Sequence, residues 1–220
     1  NNGQAYMTLL TPDASERGIY FGEPSNNTAG GIIYNSASVL DGLAFRTNGN
    51  VTRMAVTSTG NVGIGTTAPG HSLHLASTQQ TPVKVTSSNT GGTWLELENT
   101  STNADQWHVI STGSGNGEGP GKLLVRDNTT GVVATTFDTN GNVGIGTTAP
   151  EARVHAFANS AGAVTANGFS TIVAENNAPC FVSVLTPDAS ERGILFGEPS
   201  NNATGGILYN NVANPDGLQL

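Results

Sequence analysis

The stretch GNVGIGTTAP at Gly60–Pro69 recurs letter for letter at Gly141–Pro150, an offset of 81 residues. A repeat of this kind sets the architecture before any single element is assigned. Val62 and Ile64 stand two apart, the spacing that points both side chains to one face of a strand. Gly63 between them leaves the other face bare, which permits close approach of a neighbouring backbone. Thr-Thr-Ala-Pro then ends the strand, because Pro69 has no N–H to give to a ladder. The flanks keep the pattern with other letters: an apolar residue four before the first Gly (Val56, Phe137), and an apolar-His pair after the Pro (Leu73-His74, Val154-His155).

A second repeat has a longer period. LTPDASERGIYFGEPSNN from Leu10 returns as LTPDASERGILFGEPSNN from Leu185, and residues 1–45 match 176–220 at 27 of 45 positions without a gap. The two periods divide the chain into modules at 1–69, 70–150 and 151–220, the third expected to break off within its repeat. At a period of 175, the next GNVGIGTTAP would begin at about residue 235, so a longer repetitive polypeptide is expected around this segment.

Composition agrees with β-structure cut by turns. Gly 29, Thr 28, Asn 24 and Ser 17 dominate the 220 residues, only 11% are charged and 36% are hydrophobic. β-branched residues alternating with Gly, Asn, Asp and Pro exclude an all-α fold. The expected strands are short: Thr8–Leu10, Gly18–Phe21, Gly31–Tyr34, Leu43–Arg46, Thr52–Thr57, Val83–Thr86, Trp94–Glu98, Trp107–Ile110, Leu123–Arg126 and Val132–Phe137. In Trp94–Glu98, WLELE, Leu95 and Leu97 share the face expected to be buried. So few large apolar side chains per module cannot close a core alone. Each module therefore needs neighbours. Modules of 81 and 94 residues exceed a solenoid coil, which favours an intertwined or side-by-side homo-oligomer over a stacked single chain. The alternative is a β-rich filament subunit assembling end to end.

Several classes are disfavoured. Eight scattered Lys and Arg against sixteen Asp and Glu do not make a phosphate-binding surface, so no nucleic-acid partner is expected. No apolar run is long enough to span a bilayer and no signal peptide is visible, so no membrane insertion is expected. Cys180 is the single cysteine, which precludes an intrachain disulfide.

Arg53–Ser77, RMAVTSTGNVGIGTTAPGHSLHLAS, resembles a module of phage tail fibres and related bacterial surface appendages, written RM-x-I-x-x-x-GNVGIGT-x-x-P-x-x-x-LHV. The second copy departs from it, with Ala134-Thr135 in place of Arg-Met and Val154-His155-Ala156 in place of LHV. ERGIYFG and DGLAFRTNGN also look like what precedes the module in such proteins, and together the resemblance covers about three quarters of the chain. It implies a shaft, commonly trimeric, on a virion tail or cell surface. Such shafts often lead to a terminal chaperone-peptidase domain, of which this sequence holds no trace.

Candidate sites are few. His74 and His155 repeat, and three chains about an axis could bring copies together on an ion; packing at a strand end with satisfied nitrogens is the plainer reading. His71 lies nearby. Trp94, Trp107, Tyr20, Tyr34 and Tyr209 are the aromatic residues open to glycan contact; Tyr34 and Tyr209 repeat and suit packing, whereas Trp94 and Trp107 occur only in the middle module and are the better candidates. GSGNGEGPGKLL, Gly113–Leu124, has a phosphate-loop look, but Asn116 and Leu123 stand where Gly and Ser or Thr are required. Asp13, Glu16 and Glu23, with their copies Asp188, Glu191 and Glu198, lie in turn sequences where carboxylates bond nearby backbone or Arg17 and Arg192. Sequons at Asn26, Asn50, Asn99, Asn128 and Asn202 are what an Asn- and Thr-rich chain produces by chance. The expectation is thus an all-β repetitive fibre shaft supporting attachment, with no catalysis and no cofactor, and with any cell-surface glycan bound through parts outside the segment. An extracellular filament or adhesin subunit is the alternative, and a glycan-degrading tailspike the least supported.

Overall fold

The structure is a computed structural model that describes residues 7–162, 165–187, 190–211 and 214–219. Among these residues about 45% are in strands, none is in a helix, and no sheet closes into a barrel. By contacts the chain divides into two units, Asn1–Val85 and Thr86–Leu220.

The first unit is one sheet of six strands in chain order: β1 Arg17–Glu23, β2 Asn26–Ser36, β3 Val39–Thr47, β4 Val51–Val56, β5 Val62–Ile64 and β6 Leu73–Leu75. β1 to β5 form an antiparallel meander, and β6 lies parallel to β5. The second unit repeats this plan with β7 Gly92–Glu98, β8 Gln106–Thr112, β9 Leu123–Asp127, β10 Val133–Phe137, β11 Val143–Ile145 and β12 Val154–Phe157. It adds β13 Ile172–Glu175, parallel to β12. A third sheet, β14 Arg192–Glu198, β15 Asn201–Asn211 and β16 Asn214–Gln219, repeats β1 to β3.

Two differences from the sequence reading concern strands. Thr8–Leu10 and Val83–Thr86 are irregular, since an alternating pattern makes a strand only where a ladder partner is present. Conversely β2 and β3 reach 11 and 9 residues, because pairing continues into both of their hairpin ends.

Registers place equivalent residues in rows across each sheet. In the first, Gly18, Ile33, Ala44, Ala55, Gly63 and His74 lie side by side; in the second, Trp94, Ile110, Leu124, Thr136, Gly144 and His155. These rows are the core: Ile33, Ala44, Ala55, Ile110, Leu124 and Thr136 are fully buried. Small residues dominate the first row, and loops of the same chain lie on both. Over the first sheet passes the strap before β1, where Asp13 O accepts a bond from the Asn35 amide (3.0 Å) and Pro12 O one from Ser15 N–H (2.8 Å). In the second, Asn116 of the glycine-rich loop donates to Gly91 O (2.7 Å) and Glu118 reaches Arg126 (3.0 Å).

Candidate functional site

GNVGIGT builds the same small device twice. Thr57 and Asp138 open a tight hairpin turn, closed by backbone bonds from Gly60 to Thr57 O (2.9 Å) and from Gly141 to Asp138 O (3.1 Å). VGI then pairs back on the preceding strand, and the chain leaves the sheet at once. A Cβ on Gly63 would stand 2.3 Å from Thr66 O, and one on Gly144 2.4 Å from Thr147 O. The bare face thus receives the chain's own next turn, in which Thr66 and Thr147 hydroxyls accept from Ala68 and Ala149 N–H (3.2 and 3.1 Å). Eight residues later the strand carrying the histidine returns parallel to VGI.

Both histidines stand on the covered row. His155 Nδ1 accepts from Glu151 N–H (3.4 Å), so in the neutral ring the proton sits on Nε2, which lies 3.1 Å from Glu175 Oε2 but off the hydrogen-bond line. The ring edge meets Phe157 with centroids 5.8 Å apart. His74 Nδ1 accepts from Gly70 N–H (3.3 Å). An axial ion held by these residues would compete with Glu175 for His155. Among the described residues no three His, Cys, Asp or Glu side chains gather for a metal.

Trp94 and Trp107 occupy opposite faces of one sheet, so they cannot stack on the same sugar. Trp94 leans on His108, centroids 5.1 Å apart, while Glu96 approaches His108 Nε2 at 3.2 Å and takes a bond from Gln106 (2.8 Å). Trp107 lies with Leu97 on the other face, beside an open groove that Glu98, Asn99 and Asp105 also line. The buried face expected for WLELE is corrected here: Leu95 and Leu97 are 54% and 55% exposed. The reason is that nothing in the chain lies over that side of the strand.

Other candidates are held by neighbours. Burial pushes the Glu16 carboxyl up, but bonds from Arg46 (2.5 Å) and the Tyr20 hydroxyl (2.8 Å) outweigh it and hold it below its usual 4.5. The Glu16 carboxylate in turn raises the pKa of the Tyr20 hydroxyl, with burial adding to the effect. Arg17 lies over the Tyr34 ring and Arg192 over Tyr209, at 5.1 and 4.7 Å, which gives the repeated tyrosines a packing partner. Lys122 of the glycine-rich loop donates to Thr148 O (2.6 Å). Cys180 is exposed, and Asp188 lies outside the described residues.

Arg46 and Arg126 are equivalent although no shared motif marks them. Each lies on the covered face one row from the core row, and each takes a carboxylate from a covering segment, Glu16 or Glu118. Their offset is 80 residues, while Ile33 and Ile110 differ by 77 and His74 and His155 by 81. No single offset relates all three pairs.

Opposite the covered row, each sheet shows a mostly apolar row that its own chain leaves largely open; in the second sheet the segment 179–181 stands beside the Ile145 and Ala156 end of the row. In the first sheet it is Ile19, Ile32, Phe45, Met54, Ile64 and Leu75; in the second, Leu95, Val109, Val125, Thr135, Ile145 and Ala156. Ile19, Ile64, Leu95 and Ile145 are 44%, 43%, 54% and 49% exposed. Contiguous apolar surface of this kind marks an interaction site. No family model matches this chain, and no curated protein does either.

Proposed function

We propose that the chain is a structural shaft segment of an elongated fibre of the phage tail-fibre kind, a closed homotrimer that supports attachment to a host or surface from a virion tail or cell exterior. The observation that carries this reading is the sheet built twice on one plan, covered by its own loops on one face and open and apolar on the other. A molecule whose modules cannot each close a core gains stability by assembly rather than by folding alone. The carboxylates with named partners are engaged with arginine, histidine or their own turns, so no catalytic pair is put forward, and recognition of a cell-surface glycan is assigned to parts outside the segment.

Sedimentation equilibrium on the purified chain tests the proposal, with electron micrographs of the product. A closed trimer of constant mass across concentrations is expected. Polymers that lengthen with concentration would favour the end-to-end filament instead. Release of reducing ends from bacterial polysaccharides would overturn the non-enzymatic reading.

A further inference from the structure

Resting on the fibre reading, we infer that the open faces of the two sheets are the surface on which copies of this chain meet, each sheet laid against the sheets of its neighbours. The occupant follows from three features of the surface.

The first is area. The chain exposes 15492 Å². A single globule of its mass would expose about 9,400 Å², and two separate globules the size of its units about 11,000 Å² in all. The excess, about 4,000 Å², is shared by the irregular segments, the third sheet and the open rows, and it is several times the roughly 800 Å² that each partner of a standard stable interface buries, so the chain has surface to give to an interface of that size.

The second is charge. Neither open row contains a charged residue. At their margins Arg17 is engaged over Tyr34, and the Asp127 carboxylate takes bonds from Thr130 Oγ1 (2.6 Å) and Thr129 N–H (2.8 Å). A neutral apolar row is its own complement, whereas a basic or acidic partner finds nothing in the rows themselves to pair with.

The third is period. The two rows sit at equivalent positions of the same plan, Ile64 and Ile145 both following the central glycine of GNVGIGT. A surface that fits one row therefore fits the other, and a second copy of this chain carries both.

The test uses the full chain with Cys180→Ala and one new thiol. Thr135→Cys lies in the middle of the second open row; Thr100→Cys lies in the exposed turn between β7 and β8 and serves as control. Mass by sedimentation and rate of maleimide labelling are measured on the same samples. The inference expects an oligomer in which Cys at 135 reacts at least about tenfold more slowly than Cys at 100, with the difference lost in denaturant. An oligomer whose two thiols react equally fast would overturn the assigned face and leave the fibre reading standing. A chain that stays monomeric would sink the fibre reading itself. As an independent check, Ile64→Glu with Ile145→Glu should reduce the assembly to monomers that keep their strand signal in circular dichroism; a trimer surviving both substitutions would count against the face.

Discussion

Gly65 and Gly146 carry the motif's strictest demand. Their φ angles are +75° and +74°, and a Cβ there would stand 2.1 Å from Ala76 O and 2.3 Å from Phe157 O. Gly49 has nearly the same φ, +77°, with open space around it. Gly65→Ala should therefore lower stability by about 1–3 kcal/mol and clearly more than Gly49→Ala, read as the difference in Tm by calorimetry. Thr136 makes the opposite case. It is fully buried at the place Ala55 holds in the first sheet, and its hydroxyl has no partner. Thr136→Val keeps the shape and removes the stranded group, so Tm should rise, by about 1 kcal/mol of stability; a fall would mean that the hydroxyl is satisfied. From the sequence, Gly63 was legible as a bare face awaiting a backbone. That the backbone is the chain's own Thr66 was not, because a spacing of three says nothing about which way the chain turns after the strand.

The hairpin turn before VGI is built with different chemistry in its two copies. Thr57 accepts from Asn61 N–H through its hydroxyl (3.2 Å), while the Asp138 carboxylate accepts from the N–H groups of Asn140 and Asn142, both at 2.8 Å. Burial pushes the Asp138 pKa up, but these bonds outweigh it and hold it below the ordinary 3.8. A depressed carboxylate pKa means that the turn's contribution is complete above 3.8, the value of the unfolded chain, and is lost as pH falls through the lower folded value. Amide exchange should accordingly accelerate in the Asp138 turn between about pH 4 and pH 2, relative to the Thr57 turn, after correction for the intrinsic rate. Asp138→Thr should abolish the difference, and equal acid response of the two turns in the parent chain would refute the assignment. The return strands β6 and β12 were legible only as an apolar residue followed by His. Parallel neighbours usually need a crossover of about a dozen residues or more, so an eight-residue return is not what strand spacing suggests. It is feasible here because Gly63 and Gly144 let the crossover lie directly on the sheet.

For the whole molecule, an assembly held by neutral faces has little electrostatic component. Its mass by sedimentation should be unchanged between low salt and about 1 M NaCl, where charge pairs are screened within roughly 3 Å. Dissociation in salt would point to the exposed carboxylates rather than the open rows. The sequence by itself determined the all-β class, the position of most strands and the existence of two copies of one module, because alternation, turn residues and literal repetition are local properties of the chain. It also led to the expectation that the modules lack apolar mass for a closed core. Only the tertiary structure decided which face each apolar residue takes, since a strand's two faces differ in what covers them, and that depends on loops far along the chain. Leu95 and Leu97 read as a buried stripe until the sheet showed the loops lying on the other side, over His108 and Ile110. The pairing of Arg46 with Glu16 and Arg126 with Glu118 was hidden for the same reason: the partners come from covering segments whose offsets differ between copies, and only the register of the strands brings them to one place.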